Sequence, residues 1–145
     1  MFDKNKLTIG LILYFIFLSF SFAKENYYEE AKKKFVKKEL EASKFLFQKN
    51  IVFNPKDAKS YLYLAKIFNL EENEKEEEKN LDTTLLLDPA NEEAMYMLIK
   101  IKLKNSNYSK VQDLKEKFSV ICVKLCEKTK EINKTLKNIE PKNDT

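Results

Sequence analysis

The chain contains no histidine, no arginine and no tryptophan, and it has a single glycine, Gly10. Histidine is the commonest general base and metal ligand, so its absence argues against acid–base catalysis and against a conventional metal site. Arginine grips phosphates with two parallel hydrogen bonds, so its absence argues against nucleic-acid binding despite the net charge of +4. Neither a glycine-rich phosphate loop nor a nucleophile elbow is present. We therefore expect that the protein is not an enzyme, that it binds no cofactor and that it has no nucleic-acid partner.

The scarcity of glycine also restricts the fold. Gly10 lies in the apolar stretch at the start of the chain, so the remainder contains no glycine. Tight β-hairpins depend on glycine for positive φ angles, whereas helices joined by short polar turns do not. The composition therefore favours an all-α fold.

The first residues have the layout of a secretory signal peptide. Lys4 and Lys6 precede a nearly continuous apolar run from Leu7 to Phe22, and Ala23 supplies a small residue at the cleavage point. The run is slightly shorter than the about 20 residues that cross a bilayer as a helix. We predict a signal peptide at residues 1–23, with an uncleaved membrane anchor as the alternative. Either interpretation places the protein outside the cytosol, in a periplasm or another extracytoplasmic space.

A period of 34 residues runs through the rest of the sequence. Pro55 and Pro89 lie 34 residues apart, and each closes an Asn-Pro or Asp-Pro pair after an apolar stretch. The apolar residues before the prolines also match: Phe47 with Leu81, Ile51 with Leu85, and Phe53 with Leu87. After each proline a helical apolar face begins, formed by Tyr61, Leu64, Ala65 and Phe68 in one case and by Met95, Leu98 and Ile99 in the other. Tyr27 and Ala31 take the corresponding places one period earlier.

This pattern resembles the tetratricopeptide repeat family, whose unit is two antiparallel helices in 34 residues. The residues that carry the resemblance are Tyr61, Leu64, Ala65, Phe68, Leu81, Leu85, Leu87 and Pro89. The resemblance implies a right-handed α-solenoid of about three helical hairpins over residues 24–139. Glu30 and Glu77 depart from the family pattern, which usually has an apolar residue at the first place and a small residue at the second.

An amphipathic stripe fills the C-terminal third of the chain. Its members are Val111, Leu114, Phe118, Ile121, Leu125, Ile132, Leu136 and Ile139. Because no proline closes the third unit, we predict one long helix of nearly 30 residues that ends the solenoid as a cap. Its far end is expected to dock back, to pair with another copy, or to fray. Pro141 and the polar residues around it predict a disordered tail at residues 140–145.

The two cysteines, Cys122 and Cys126, are one helical turn apart. Neighbours at this spacing have Cβ atoms about 5–6 Å apart, whereas a disulfide prefers about 3.8 Å, so a bond between them requires that turn to distort or unwind. Three interpretations remain open. The cysteines are small apolar residues beside the stripe, or they form a disulfide within the chain or between two copies, or they serve a redox or soft-metal role.

In the family that the sequence resembles, the first helix of each unit lines a concave groove that receives a segment of a partner. The resemblance places the following residues in that groove: Tyr28, Lys32, Leu62, Lys66, Asn69, Tyr96, Lys100 and Lys104. Lys32, Lys66 and Lys100 recur every 34 residues, and as a basic ladder they would suit an acidic peptide or a C-terminal carboxylate. Ordinary surface lysines are the alternative interpretation.

The resulting hypothesis is a small, exported, bacterial-type adaptor or scaffold that binds a protein or peptide. Two alternatives stay open beside it. One is a membrane-anchored assembly protein that self-associates, as a homodimer for example, through its C-terminal helix. The other is a thiol or soft-metal module that uses the CxxxC pair. Contact with a membrane is expected only if the N-terminal segment is not removed.

Overall fold

The structure is a computed structural model that describes residues 26–139. The described residues form seven α-helices and no β-strand. The helices are α1 (Tyr27–Val36), α2 (Leu40–Phe53), α3 (Ala58–Leu70), α4 (Glu74–Leu87), α5 (Glu92–Lys104), α6 (Tyr108–Ile121) and α7 (Lys128–Ile139). The first six form three consecutive hairpins, which confirms the predicted all-helical repeat fold. The predicted signal peptide at 1–23 and the predicted tail at 140–145 lie outside the described residues.

The turn inside each hairpin has the same geometry at intervals of 34 residues. Lys38, Glu72 and Ser106 have left-handed backbone conformations, with φ angles of 60°, 56° and 54°. In each turn the next amide donates a hydrogen bond to a carbonyl five residues earlier, as Asn73 does to Phe68 at 2.9 Å. This is the helix-ending arrangement in which glycine is usually found. Here Lys38, Glu72 and Ser106 adopt this conformation in place of glycine. The packing of the two helices therefore determines the conformation of the turn.

The buried side chains form two clusters, and α3 belongs to both. Leu64 and Ile67 of α3 pack with Ala31 of α1 and Phe47 of α2. Leu62 and Ala65, on another side of the same helix, belong to a larger cluster. The other buried members of that cluster are Leu81, Ala94, Met95, Leu98, Ile99, Ile101, Val111, Leu114, Phe118, Ile132 and Leu136. Successive hairpins therefore share buried side chains, as a helical repeat requires.

The C-terminal region differs from the prediction. The expected single helix of nearly 30 residues is wrong, because α6 ends at Ile121 and α7 begins at Lys128. Ile121 occupies the same repeat position as Phe53 and Leu87, which end α2 and α4. The helix therefore stops in register with its predecessors although no proline follows. A disulfide between Cys122 and Cys126 takes the place of the proline turn, and their Cα atoms are 5.1 Å apart.

The disulfide-containing segment is also held by a carboxylate. Glu92, at the start of α5, accepts hydrogen bonds from the backbone N–H groups of Val123, Lys124 and Leu125 at 2.7, 3.0 and 3.1 Å. These bonds to the ionised form lower the pKa of Glu92. The segment directs α7 back onto the body of the protein, where Ile132 and Leu136 are buried in the larger cluster. The cap is therefore a separate helix of 12 residues.

Ala65 offers a direct test of the shared core. It is fully buried in the larger cluster, whereas Ala42 on α2 is exposed. Ala65→Leu should lower the free energy of unfolding by about 1–3 kcal/mol, because added methylene groups do not fit a close-packed interior. Ala42→Leu is the matched control and should change it by no more than about 0.5 kcal/mol. Urea denaturation followed by circular dichroism measures both, and equal stabilities for the two variants would contradict the packing described here.

Candidate binding surface

The first helices of the three hairpins carry a surface of tyrosine and lysine side chains. We call it the lysine–tyrosine face and define it by Tyr28 and Lys32 on α1, Tyr63 and Lys66 on α3, and Tyr96 and Lys100 on α5. Side-chain contacts connect α1 to α3, α3 to α5, and α5 to α7, and each connection is described below.

Tyr63 links α1 to α3 and lies at the centre of a group of aromatic rings. Its ring stacks on Phe47 with a centroid distance of 4.9 Å. The rings of Phe35 and Tyr28 meet it edge to face at 5.2 and 6.0 Å. Offset and edge-to-face pairs of this kind add about 0.5–1.5 kcal/mol each beyond the area that they bury. The rings therefore hold this part of the face rigid.

Lys66 links α3 to α5. Its ammonium group lies 4.9 Å from the centroid of the Tyr63 ring and 2.8 Å from the Oε1 atom of Glu93. The aromatic ring and the carboxylate both favour the cation at this place. Lys66 therefore already has an anionic partner within the chain, and a carboxylate from another protein would have to displace Glu93 to bind it.

Tyr96 links α5 to α7. Its hydroxyl donates a hydrogen bond of 3.1 Å to the Oε1 atom of Glu131. The ammonium groups of Lys100 and Lys128 each lie 5.8 Å from its ring centroid. Lys128 also pairs with Glu131 at 3.3 Å. The start of α7 thus covers the edge of the face beyond α5, while Lys100 remains exposed.

Tyr28 and Tyr96 stay in the neutral, hydrogen-donating form because their pKa values are raised. Burial, with smaller contributions from Tyr63 and nearby carboxylates, raises the pKa of Tyr28 to about 12. Burial and the hydrogen bond to Glu131 also raise the pKa of Tyr96. The pKa of Glu131 is lowered by its hydrogen bonds to Lys128 and Tyr96, so its carboxylate is ionised at neutral pH.

The eight residues assigned to the groove from the sequence have different environments. Leu62 was wrongly placed, because only 7% of its surface is exposed and it packs in the larger cluster. Asn69 and Lys104 lie at the far ends of α3 and α5, where Asn69 bonds to Glu77 and Lys104 pairs with Glu74 at 2.6 Å. Tyr28, Lys66 and Tyr96 are half-buried, and Lys32 and Lys100 are exposed. The predicted ladder therefore has one internally paired lysine between two exposed ones.

Three residues of this surface were not predicted: Tyr63, Glu93 and Glu131. Tyr63 follows Leu62 directly, so an error of one position in the helical face concealed it. Its spacing of three residues from Lys66 would have suggested that the two side chains meet. Glu93 and Glu131 contact the face from neighbouring helices, and no local spacing in the sequence marks them.

A depression separate from the lysine–tyrosine face lies between α4 and α6, the second helices of the second and third hairpins. Its volume is about 530 Å³. Met95 and Leu98 of α5 form its floor, and Leu85 and Ile121 are among the apolar residues of its walls. No site was predicted here from the sequence, because the family resemblance places the groove on the first helices of the hairpins.

Three further properties of residues 26–139 concern the cysteines, metal binding and the membrane. Both cysteine sulfurs are used in the intrachain disulfide. Within this range no group of three or more histidine, cysteine, aspartate or glutamate side chains is arranged to hold a metal ion. None of the helices in the same range combines the length and the apolar character needed to cross a membrane.

Comparison with known proteins supports the fold. No model of a known protein family matches the chain, and no curated protein matches it. Among solved structures, a chain of the "CopN-Scc3 complex" aligns with a TM-score of 0.64 and 18% sequence identity. The alignment covers 76% of this chain and 66% of that one, which is slightly less than two thirds of the neighbour's length. At this identity the likeness establishes a shared helical repeat fold.

The predicted groove residue Asn69 has a buried partner whose ionisation can be tested. Glu77 is only 4% exposed, and both its carboxylate oxygens accept hydrogen bonds of 3.1 Å from the amide of Asn69. Burial raises the pKa of Glu77 above its usual value of 4.5, and the Asn69 bond offsets part of that effect. The Glu77 carboxylate is therefore accommodated by one amide group.

The raised pKa of Glu77 predicts a pH-dependent effect on stability. The folded state holds the proton of Glu77 more tightly than the unfolded state does. The stability that this group contributes is therefore complete below its pKa in the unfolded state, and it is lost as the pH rises through its pKa in the folded state. Glu77→Gln, which still accepts a bond from Asn69, should therefore be more stable than the natural protein at about pH 7.5. The advantage should disappear near pH 4.

Urea denaturation at both pH values measures this effect. Glu116→Gln, at an exposed position on α6, is the matched control and should show no such difference. A Glu77→Gln variant that is less stable than the natural protein at pH 7.5 would contradict the assignment of a costly buried charge.

Proposed function

We propose that this protein is an exported scaffold of the tetratricopeptide repeat type, which holds a segment of a partner protein on its lysine–tyrosine face and performs no catalysis. The observation that carries the proposal is the continuity of this face across α1, α3 and α5. A segment of several residues needs such a surface on more than one helix, with rigid apolar rings and polar groups side by side.

The chemistry of the face indicates an acidic segment. Lys32 and Lys100 are exposed at equivalent positions of the first and third hairpins, and Lys66 lies at the same position between them. Two carboxylates of the segment can pair with the two outer lysines, one with each, while aliphatic parts of the segment lie against the tyrosine rings. Glu93 neutralises Lys66 and thereby affects which segments bind. An acidic group of the segment that lies opposite the middle hairpin must compete with Glu93 for Lys66.

The comparison with known structures supports the partner class. The neighbouring chain with a TM-score of 0.64 comes from a structure that is, by its title, a complex. A related helical repeat fold in a complex fits a role in protein binding, although fold alone does not identify a partner.

Two features support a location outside the cytosol. The first is the basic start followed by the apolar run Leu7–Phe22, which has the layout of an export signal. The second is the disulfide between Cys122 and Cys126, because disulfides persist in oxidising compartments and are rare in the cytosol.

The same disulfide weakens the two alternative functions. Self-association through the C-terminal helix needs either a cysteine or an apolar helix face that is available to a second copy. Here the two cysteines bond to each other, and Ile132 and Leu136 of α7 pack against their own chain. A soft-metal site likewise needs thiolate sulfurs as ligands, and the disulfide occupies both. Binding on the lysine–tyrosine face therefore remains the function that the geometry supports best.

Site-specific photo-crosslinking in the native cell envelope tests the proposal. A crosslinking residue placed at position 100 should give an adduct of defined mass with one partner protein. The same residue at position 75, which is an exposed lysine on α4 and lies off the face, is the matched control. Equal adducts at both positions, or no adduct at position 100, would refute binding at this face.

Charge reversal tests the acidic character of the partner. With the crosslinking residue at position 32, Lys100→Glu should reduce the adduct about tenfold, equivalent to about 1.4 kcal/mol of binding free energy. Lys75→Glu should leave it unchanged. Raising the salt concentration should weaken the adduct of the natural sequence, since exposed charges are screened over about 10 Å at 0.1 M salt. An adduct that is insensitive to both changes would exclude a carboxylate-based contact.

A further inference from the structure

The hairpins give the protein two opposite edges, and one of them is unusually apolar. We call the edge that contains the turns at 54–57, 88–91 and 122–127 the inter-hairpin edge. There the first helices begin and the second helices end, as shown by the stacking of Tyr27 on Phe53 at 5.6 Å. The bond between Glu92 and the amide of Val123, at 2.7 Å, shows the same arrangement for the third hairpin. The opposite edge contains the turns at Lys38, Glu72 and Ser106.

A row of exposed aliphatic side chains runs along the inter-hairpin edge. Val52, Leu86 and Val120 occupy one repeat position, one residue before the ends of α2, α4 and α6, and they are 77%, 81% and 85% exposed. We call these three residues the aliphatic row. Phe53 and Val123, next to it, are also exposed. Isolated exposed apolar side chains are ordinary in proteins, but a repeated row at one edge marks an interaction surface.

The depression between α4 and α6 opens beside this row. Val120 is one of its lining residues, together with Pro89 in the preceding inter-hairpin turn. The depression therefore adjoins the row at Val120. The basic side chains Lys110 and Lys117 stand at its rim.

Helix α1 begins at the same edge, a few residues after the N-terminal apolar run of the sequence. The run ends at Phe22, and α1 begins at Tyr27. The five residue steps between them span at most about 18 Å even when fully extended. The polar layer on each side of a bilayer is about 5–8 Å thick. If the run is retained in a membrane, the start of α1 cannot lie far from the membrane surface.

We propose that the inter-hairpin edge rests on the lipid surface, with the aliphatic row inserted among the headgroups and acyl chains. This inference rests on retention of residues 1–23 as a membrane anchor, and it does not depend on which partner binds the lysine–tyrosine face. Burial of the row removes apolar surface from water, which contributes about 25 cal/mol for each Å². The anchor keeps the protein close to the membrane, and the aliphatic row determines the orientation of the helical repeats on the membrane surface.

The opposite edge carries a shorter set of exposed aliphatic side chains and provides an internal control. Val36, at the end of α1, is 75% exposed there, and Lys104 takes the equivalent position at the end of α5. Leu70, at the end of α3, is an aliphatic side chain with 59% of its surface exposed. It lies beside Glu71 and Glu72, in a turn rich in charged residues. A charged turn of this kind is expected to remain in water.

Tryptophan fluorescence in the full chain tests the proposal, because the natural sequence contains no tryptophan. The full-length variants Leu86→Trp, Val120→Trp and Leu70→Trp are each inserted into phosphatidylcholine vesicles, with and without brominated acyl chains. The side chains are exposed, and circular dichroism checks that helix content is unchanged. Tryptophan at 86 or 120 should be quenched by brominated lipid about twofold more strongly than at 70, since interfacial side chains sit about 5–10 Å into the headgroup and acyl boundary.

Three results would overturn the proposal, and they are distinguishable. If the chain does not float with the vesicles, the apolar run is not an anchor. If it floats but iodide in the water quenches all three tryptophans equally, the edge stands clear of the membrane. If tryptophans 86 and 120 are shielded from both iodide and brominated lipid, the row is covered by protein, either the apolar run folded back or a second copy. None of these outcomes bears on crosslinking at position 100, so the proposed function is tested separately.

Discussion

The structure depends on one constraint, which is that a single helical hairpin cannot bury its own apolar surface. Helix α3 satisfies the constraint by contributing to two clusters at once, with Leu64 and Ile67 in one and Leu62 and Ala65 in the other. The lysine–tyrosine face is a consequence of the same stacking. Tyr63 and Lys66 can reach α1 and α5 only because the shared core holds these first helices side by side.

The ends of the stack require separate solutions. At the C-terminal end, the disulfide and the Glu92 carboxylate turn the chain so that α7 closes the larger cluster. The outer surface of α7 carries the exposed side chains of Lys130, Lys134 and Lys137, so this end of the stack presents basic groups to water. At the N-terminal end, α1 and α2 have no described hairpin before them, and the apolar side chains Phe53 and Val52 remain exposed near the start of α1.

Most of the fold could be predicted from the sequence, because prolines, alanines and large apolar residues recur at fixed intervals and report a repeated backbone. The break after Ile121 followed from only one of the three interpretations of the cysteines, the intrachain disulfide, and the sequence did not select it. The apolar stripe continues in helical phase through Leu125 and Ile132, so periodicity alone favours one helix, and the stop depends on a covalent bond. The face was predicted only in part. Its pairing of Lys66 with Glu93 depends on how two helices are placed in space, and the burial of Leu62 depends on a rotation of one residue.

Hydrogen exchange in a Leu81→Ala variant of the full chain tests the central claim most directly. Leu81 of α4 is fully buried in the larger cluster, and its truncation should cost about 2–5 kcal/mol. If neighbouring hairpins share one core, amide exchange should accelerate in α3, α5 and α6 as well as in α4. Acceleration confined to α4, with unchanged protection in the hairpin that follows, would show that each pair of helices is stable by itself and would contradict the account.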